Sequence, residues 1–421
     1  MKLNVKQTLL IGFGFFASSI AWSIYNSFVP PLLEKYVQTT TLIGLIMTID
    51  NVFGVIFQPL FGDLSDRTRT RFGRRMPFIL IGLPICALLF IAVPWTTALW
   101  SMMAVLVVFN LIMSFWRAPM IALMPDFTPR PLRSKANGLI NLMGGIGSLI
   151  AFVAGSWLLT LGNKTMGEER GMAMPFLAVG LLMIVAFFVL LFFVREPKTA
   201  QAAEAPEEPE AKMGLAGIKG VGKSLILVLL AIFFWFSGYN AIETFFSLYV
   251  SNHMGLDVAQ APMLLAFFSV TFIAMAVPAG LIATKIGRRK TILIGLGLLI
   301  PLFPVLTFVT NLWVFRALML FGGAMWAMVN INSLPMVLDM GALTRAGRMT
   351  GFYYFFSFGA SIVSPILYGV IRDLTKDYST LFWYGGVAYL AAFICMLFVK
   401  HGESTAVHVV AQTAETDETA A

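Results

Sequence analysis

Charge is scarce in this chain. Only 12% of its 421 residues are Asp, Glu, Lys or Arg, against 58% apolar residues, too little to cover the surface of a water-soluble protein of that length. Histidine occurs three times (His253, His401, His408), each time outside the long apolar runs. Cysteine occurs twice, at Cys86 and Cys395, both inside such runs. That excludes a disulfide framework or a cysteine metal cluster, and the two read as buried packing. No Ser/His/Asp constellation and no metal-ligand spacing is present. The stretch "GIKGVGKS" (217–224) lacks the spacing and the preceding strand of a phosphate loop. No catalytic residue, metal or cofactor is expected, and the chain is not read as an enzyme.

What is abundant is apolar sequence. With 38 Phe, 24 Met and a mean hydropathy of +0.84, runs of about 20 residues recur from end to end, each long enough to cross a bilayer as a helix. The pattern predicts an all-α polytopic membrane protein with twelve spans near 8–33, 40–63, 76–96, 98–124, 136–161, 172–195, 224–250, 260–284, 290–310, 312–338, 347–372 and 378–400. The first run is too long for a signal sequence and ends in no small-residue cleavage site, so it reads as the first span. An Ala-, Glu-, Pro- and Gly-rich break separates the sixth span from the seventh and reads as a solvated linker. The expected organisation is a six-helix bundle over 1–195, a linker over 196–223, a second bundle over 224–400 and a polar tail over 401–421.

The net charge of +8 would suggest a nucleic-acid partner in a soluble protein; here its location matters more. Of 29 Lys and Arg, 22 fall in the N-tail, the even-to-odd connections and the C-tail, five on the opposite side and two (Arg117, Arg316) within spans. Positive charge is retained on the cytoplasmic side, so both termini are expected there and no nucleic acid is implied.

Five arginines sit in "GDLSDRTRTRFGRRMPF" (62–78), between spans two and three. Orientation explains their sign but not their spacing. The segment "GLIATKIGRRK" (280–290) repeats the frame from Gly280, ending Gly287-Arg288-Arg289, which lies 214 residues after Gly73-Arg74-Arg75. Tyr25-Asn26 is answered by Tyr239-Asn240 at the same offset, and Asp126 precedes Gly138 as Asp339 precedes Gly351, by twelve residues each. Correspondences in register argue for an internal duplication, and parallel six-helix repeats are a transporter architecture with its site near the midplane.

The frame Gly62…Asp66-Arg67…Gly73-Arg74-Arg75 resembles the helix 2–3 signature of the major facilitator superfamily. The longer "QPLFGDLSDRTRTRFGRRMPF" from Gln58, with "PMIALMPDFTPRPLRSKANG" and "GYNAIETFFSLY", resembles the sucrose transporters and the glycoside–pentoside–hexuronide cation symporters. The resemblance implies a latch: Gly62 allows close helix approach, and Asp66 and Arg67 lock the cytoplasmic side against the opposite half. Gly73, Arg74, Arg75, Asp126, Gly280, Gly287, Arg288, Arg289 and Asp339 belong to the same gating layer, and Arg74 and Arg75 also contact anionic lipid. Arg69 and Arg71 are explained as well by topology alone. Sodium-coupled members carry acids at the places of Gln58 and Gly54; their lack here favours a proton as the coupling ion.

Ionisable groups inside a membrane are functional candidates by default. Asp50 lies about 18 Å and Arg117 roughly 13 Å from the cytoplasmic helix ends at 1.5 Å per residue, depths that allow an Asp50–Arg117 pair. Burial opposes an ionised carboxylate and a guanidinium favours it, the balance a proton switch needs; the alternative is a static pair that orients two helices. Glu243 is read as a cavity-lining, proton-moving or sugar-binding acid, or as an acid in a wet vestibule. Trp22 and Asn26, one turn apart, with Gln58, Tyr239, Asn240 and Glu243, offer the amides, carboxylate and flat rings that bind sugar hydroxyls and faces. Most other asparagines read as interhelical hydrogen-bond donors.

The sequence thus predicts a secondary active transporter in a bacterial-type plasma membrane, working as a monomer among membrane lipids. It would couple a proton to uptake of a sugar, an α-glucoside such as sucrose or maltose, by alternating access. Two alternatives stay open: proton-driven efflux of an amphipathic metabolite or drug, and a non-transporting membrane sensor.

Overall fold

Hydrocarbon gives the backbone no hydrogen-bond partner, so a chain of this composition satisfies its N–H and C=O groups inside helices. The computed structural model describes residues 3–129, 132–196, 222–340 and 346–400, and its regular structure is helical. In order the helices are α1 (Val5–Glu34), α2 (Thr40–Met47), α3 (Ile49–Arg67), α4 (Met76–Ala92), α5 (Leu99–Phe127), α6 (Arg133–Met166), α7 (Glu168–Gly171) and α8 (Ala173–Phe193). After them come α9 (Lys223–Asn252), α10 (Gln260–Ile286), α11 (Arg288–Phe308), α12 (Leu312–Asp339), α13 (Ala346–Thr375) and α14 (Thr380–Leu397). Together they make twelve segments long and apolar enough to cross a membrane among the described residues, α2 with α3 counting as one and α7 with α8 as another. Most of the expected linker and the whole expected tail lie outside the described residues.

One departure from the expected helices bears on function. The second span is not continuous: α2 ends at Met47 and α3 starts at Ile49. At the interruption the Thr48 hydroxyl donates to the Leu45 carbonyl at 2.8 Å, a side-chain bond of the kind that bends helices. Asp50 therefore stands in the first turn of a new helix.

Two compact units can be described. The first comprises α1–α8 together with Asn240–Val270 and Ser361–Leu381. Its centre is aromatic: Tyr25 of α1 stacks on Phe109 of α5 at 5.8 Å, Phe109 meets Phe90 of α4 at 5.3 Å, and Phe90 meets Phe176 of α8 at 4.8 Å. All four rings are fully buried. The second unit comprises the first part of α9 to Tyr239, Thr271–Ala360 and the chain from Phe382. Its aromatic cluster joins Tyr239, Trp326 and Tyr389, with Tyr239 stacked on Trp326 at 4.8 Å and 4°. Trp95, Trp100, Trp313 and Trp383 are all exposed and sit at the helix ends away from the arginine loop. Such tryptophans mark the level of a membrane interface.

The arginine loop turns back on itself. Thr70 and Gly73 exchange backbone hydrogen bonds of 3.3 and 3.1 Å, and the Thr70 hydroxyl donates to the Gly73 carbonyl at 2.7 Å. Gly73 holds φ +109°, as its repeat partner Gly287 holds +92°, a region that side-chain-bearing residues avoid. A Cβ on Gly73 would also fall 2.7 Å from the Glu196 Cβ. By contrast, nothing lies within 4 Å of a Cβ built on Gly62 or on Gly280. Among the described residues Gly62 therefore faces open space. We expect Gly73→Ala to cost about 1–3 kcal/mol from backbone strain alone, read as a lowered melting temperature of the purified protein in detergent. Gly62→Ala, in mid-helix, should match or exceed wild-type stability by up to about 1 kcal/mol.

Candidate functional site

The break at Thr48 turns Asp50 toward its neighbour. Asp50 Oδ1 accepts the Asn51 backbone N–H at 2.6 Å and the Asn51 side-chain amide at 2.7 Å. Two further charged groups, Arg117 on α5 and Glu243 on α9, lie within electrostatic reach of Asp50. No ion pair of 4.0 Å or less joins Asp50 to Arg117, so the expected direct pair is not formed: Asn51 occupies the Asp50 oxygen, and the Arg117 guanidinium lies over the Trp22 ring at 5.9 Å. Glu243 is no isolated vestibule acid. Its Oε1 accepts the Asn26 side-chain amide at 3.3 Å, joining α1 to α9.

Trp22, Asn26, Asp50, Asn51, Arg117 and Glu243 thus form one half-buried polar cluster within the first unit. Trp22 packs edge-on to Tyr25 at 5.3 Å and to Phe109 at 6.1 Å. Its indole N–H is buried without a protein acceptor, a donor turned toward the polar cluster's side of the aromatic core. Tyr25 is core instead: fully buried, its hydroxyl accepts the Asn110 amide at 3.3 Å. Gln58 stays out of the cluster, its amide lying over Gly54, 3.2 Å from where a Cβ would be. Tyr239 belongs to the aromatic cluster of the second unit, and Asn240 is half-buried. Asn332, as expected of most asparagines, ties helices together, donating to the carbonyls of Ala279 and Met328. Arg316 lies over the Trp313 ring at 4.6 Å.

A second charged layer lies at the arginine face. Arg74 donates to Asp126 Oδ1 at 2.5 Å and Oδ2 at 3.2 Å, and Arg75 donates to Asp126 Oδ2 at 3.2 Å and to the Ser65 hydroxyl at 2.5 Å. Asp66 pairs with Arg75 and stands 3.9 Å from Arg74. Glu196, which the sequence placed in the linker, is a structural member: its Oε2 accepts the Arg75 backbone N–H at 2.9 Å and its other oxygen faces Arg74 at 3.6 Å. The second unit repeats the arrangement, Arg288 pairing with Asp339. There Arg289 donates to the carbonyls of Met396 and Leu397 at 3.2 and 2.7 Å, so the end of α14 supplies acceptors.

The contacts of the arginine loop run within its own half. Asp66 reaches arginines of its own half, because the loop folds back at Gly73, and Arg67 pairs along its own helix with exposed Asp63 at 3.0 Å. Arg74 and Arg75 are buried among carboxylates, whereas Arg67, Arg69 and Arg71 are exposed. Among the described residues, no group of three or more His, Cys, Asp or Glu gathers as a metal site.

The family model of the Major Facilitator Superfamily matches residues 11–277 and 244–416. The chain belongs to that superfamily. It is 24% identical over 377 residues to the class B tetracycline resistance protein of Escherichia coli, covering 88% of each chain. It is 20% identical over 294 residues to the isoprimeverose transporter of Lactiplantibacillus pentosus, covering 67% of this chain and 60% of that one. Its fold is shared with a solved D-xylose-proton symporter at a TM-score of 0.74, with 16% identity and coverage of 94% and 97%. The superfamily fold accounts for the twelve spans, and the protein is a multi-pass membrane transporter of the inner-membrane type.

The burial contrast between the two arginine-loop pairs gives a stability test. Asp126 is 10% exposed and Arg74 7%, whereas Asp63 and Arg67 are 61% and 77% exposed. Asp126→Ala, which removes the carboxylate that two buried guanidinium groups share, is expected to destabilise by about 3 kcal/mol. Asp63→Ala should change stability by about 1 kcal/mol or less. Thermal unfolding of the two purified variants checks the difference.

Proposed function

We propose that the chain is a proton-coupled secondary transporter of a sugar-like solute, working by alternating access with both termini cytoplasmic. The observation that carries this reading is the cluster in which Asp50 lies within electrostatic reach of both the Arg117 guanidinium and the Glu243 carboxylate, beside the Trp22 face. Charged side chains at the bilayer centre are each disfavoured by about 2.5–3.5 kcal/mol, and three in one place mark a site that changes its charge. Amide, carboxylate and indole N–H groups suit hydroxyl partners, and the Trp22 ring suits a sugar face.

In this mechanism Asp50 takes the proton. Neutral Asp50 leaves Arg117 without its through-space counter-charge, so Arg117 is released toward the cargo, and the loaded cluster carries less net charge through the occluded state. Deprotonation on the cytoplasmic side restores the attraction and frees the cargo. Glu243 and Asn26 read closure between α1 and α9. The two arginine-face networks hold each six-helix half together, and the chain acts as a monomer. The positive-inside distribution of Lys and Arg supports the orientation.

A second reading keeps the same proton chemistry and reverses the cargo. The similarity to a tetracycline resistance protein over 88% of the chain favours efflux of an amphipathic compound exchanged for a proton. A non-transporting sensor fits less well, since no residue of the cluster depends on a signalling partner.

Proteoliposomes carrying an internal pH dye separate these readings. With sucrose, maltose or trehalose outside, symport acidifies the lumen, and Asp50→Asn is expected to abolish that signal while leaving labelled-sugar counterflow. Acidification driven by an outgoing amphipathic compound, with no response to any sugar, would establish efflux. Silence toward sugars and drugs in both assays would sink the transport of either class.

A further inference from the structure

The helix ends opposite the arginine face carry a second set of charged contacts that the proton site does not use. Asp373, near the end of α13, does not serve its own helix. Its Oδ1 accepts the Thr40 backbone N–H at 2.8 Å; its Oδ2 accepts the Thr41 backbone N–H at 2.8 Å and the Thr41 hydroxyl at 2.6 Å. Thr40 opens α2, and the residue before it, Thr39, makes no side-chain cap bond of its own. The first N–H groups of a helix have no partner within it, so here the cap comes from a carboxylate more than 330 residues away in the chain. The backbones meet at the same point: a Cβ on Gly369 of α13 would lie 2.6 Å from the Thr41 Cα. The Arg372 guanidinium stands 3.6 Å from Asp373 and 4.2 Å above the Tyr378 ring.

Neighbouring contacts seal the same level. Glu34, ending α1, accepts the Asn252 amide of α9 at 3.0 Å and the Tyr378 hydroxyl at 3.2 Å. His253 lies 3.7 Å from Asp377. Asp377 is held below the ordinary carboxylate range chiefly by the Ser379 hydroxyl, with the Ser379 backbone N–H and His253 assisting. Of these contacts Asp373 alone satisfies a helix end, and it makes three bonds at once.

We propose that Asp373 is a gating residue of the transport cycle, a detachable N-cap whose bonds to Thr40 and Thr41 hold α2 against α13 and close this face. The proposal rests on the alternating-access reading above, in which this face is external. When the face opens, α2 and α13 part by more than a hydrogen-bond length, and water takes over both sets of groups. The bonds then exist in one state alone, which is the condition for an interaction to bias a two-state equilibrium. Geometry also ties the cap to the proton site. α2 has eight residues, a rod about 12 Å long, capped at one end by Asp373 and ending at the Thr48 break that sets Asp50. Movement of the capped end therefore re-aims the Asp50 turn.

The test uses spin labels at Gln38→Cys and Leu374→Cys, both exposed positions flanking the contact, in a Cys86→Ala/Cys395→Ala background. Electron–electron resonance distances are measured in nanodiscs. Wild type is expected to give a dominant short distance. Asp373→Ala should add a longer component, lowering the closed-to-open ratio about 5- to 10-fold, the scale of a lost N-cap. Asp373→Asn, which keeps one acceptor, should fall between. Thr41→Val, which removes only the hydroxyl, should shift the ratio less and in the same direction.

Unchanged distances in Asp373→Ala and Thr41→Val overturn the proposal. If Asp373→Ala does not fold, Asp373→Asn and Thr41→Val decide it by the same criterion. The distances do not depend on cargo or coupling ion. A wild type that moves neither proton nor solute, yet shifts its distances on Asp373→Ala, sinks the transport reading and leaves the cap. Intact proton coupling with unmoved distances does the reverse.

Discussion

A charge in hydrocarbon has to be answered locally, and the architecture of this transporter follows from where its few charges are answered. Hydration is absent at the bilayer centre, so each ionisable group there needs a donor, an acceptor or a ring within reach. Asp50 meets this demand through the two Asn51 donors at 2.6 and 2.7 Å, Glu243 through Asn26, and Arg117 through the Trp22 face. The helix break at Thr48 is part of the same solution. A carboxylate in the first turn of a helix stands next to free backbone N–H groups, which an uninterrupted span would have denied it. The second span is broken where the charge is.

The answer is deliberately incomplete in one respect. Arg117 is within electrostatic reach of Asp50 but makes no close ion pair with it. A tight buried pair would be static, since breaking it strands two charges. A pair held apart, each member with a weaker local partner, can change protonation without dismantling the site. The contrast is with the arginine face, where Arg74 and Arg75 converge on Asp126 and are buried among carboxylates. Those are tight, multiply bonded pairs, suited to holding helices in one arrangement.

Much of this was legible in the sequence because hydropathy and symmetry are one-dimensional signals. Twelve apolar runs gave twelve spans, and the repeated Gly-Arg-Arg frame and the paired Asp126 and Asp339 gave two matching ion-pair networks. Asp50, Arg117, Glu243, Trp22 and Asn26 could be picked out because polar groups are conspicuous in apolar runs. What could not be read was direction and partner. Asn51 looked like a neighbour of Asp50 and proved to be its hydrogen-bond donor. Glu196 looked like the first acid of a linker and is instead buried against Gly73, a contact set by where the end of the sixth span meets the arginine loop. Tyr25 and Tyr239 share a motif but not a role, since one is sealed in the core and the other lies on Trp326. Asp373 carried no signal at all: an acid at a helix end is ordinary, and its bond to the start of α2 spans most of the chain.

Sequence separation itself distinguishes what is fixed from what exchanges. At the arginine face Arg74 bonds Asp126 and Arg288 bonds Asp339 across 52 and 51 residues, and Arg75 with Glu196 and Arg289 with Met396 span 121 and 107, so each of these bonds closes within one repeat. Three other bonds span 217 to 344 residues, Asn26 with Glu243 in the polar cluster and Glu34 with Tyr378 and Thr40 with Asp373 at the opposite face, so each of these joins a residue of one repeat to a residue of the other. A cycle that moves two repeats as bodies keeps the first kind of bond throughout and has to break the second. The pairs of Arg74 and Arg75 with Asp126 are buried and multiply bonded, and Arg288 with Asp339 repeats the pairing at partial burial, while the contacts across repeats named above are single hydrogen bonds and a helix cap, interactions that water can replace.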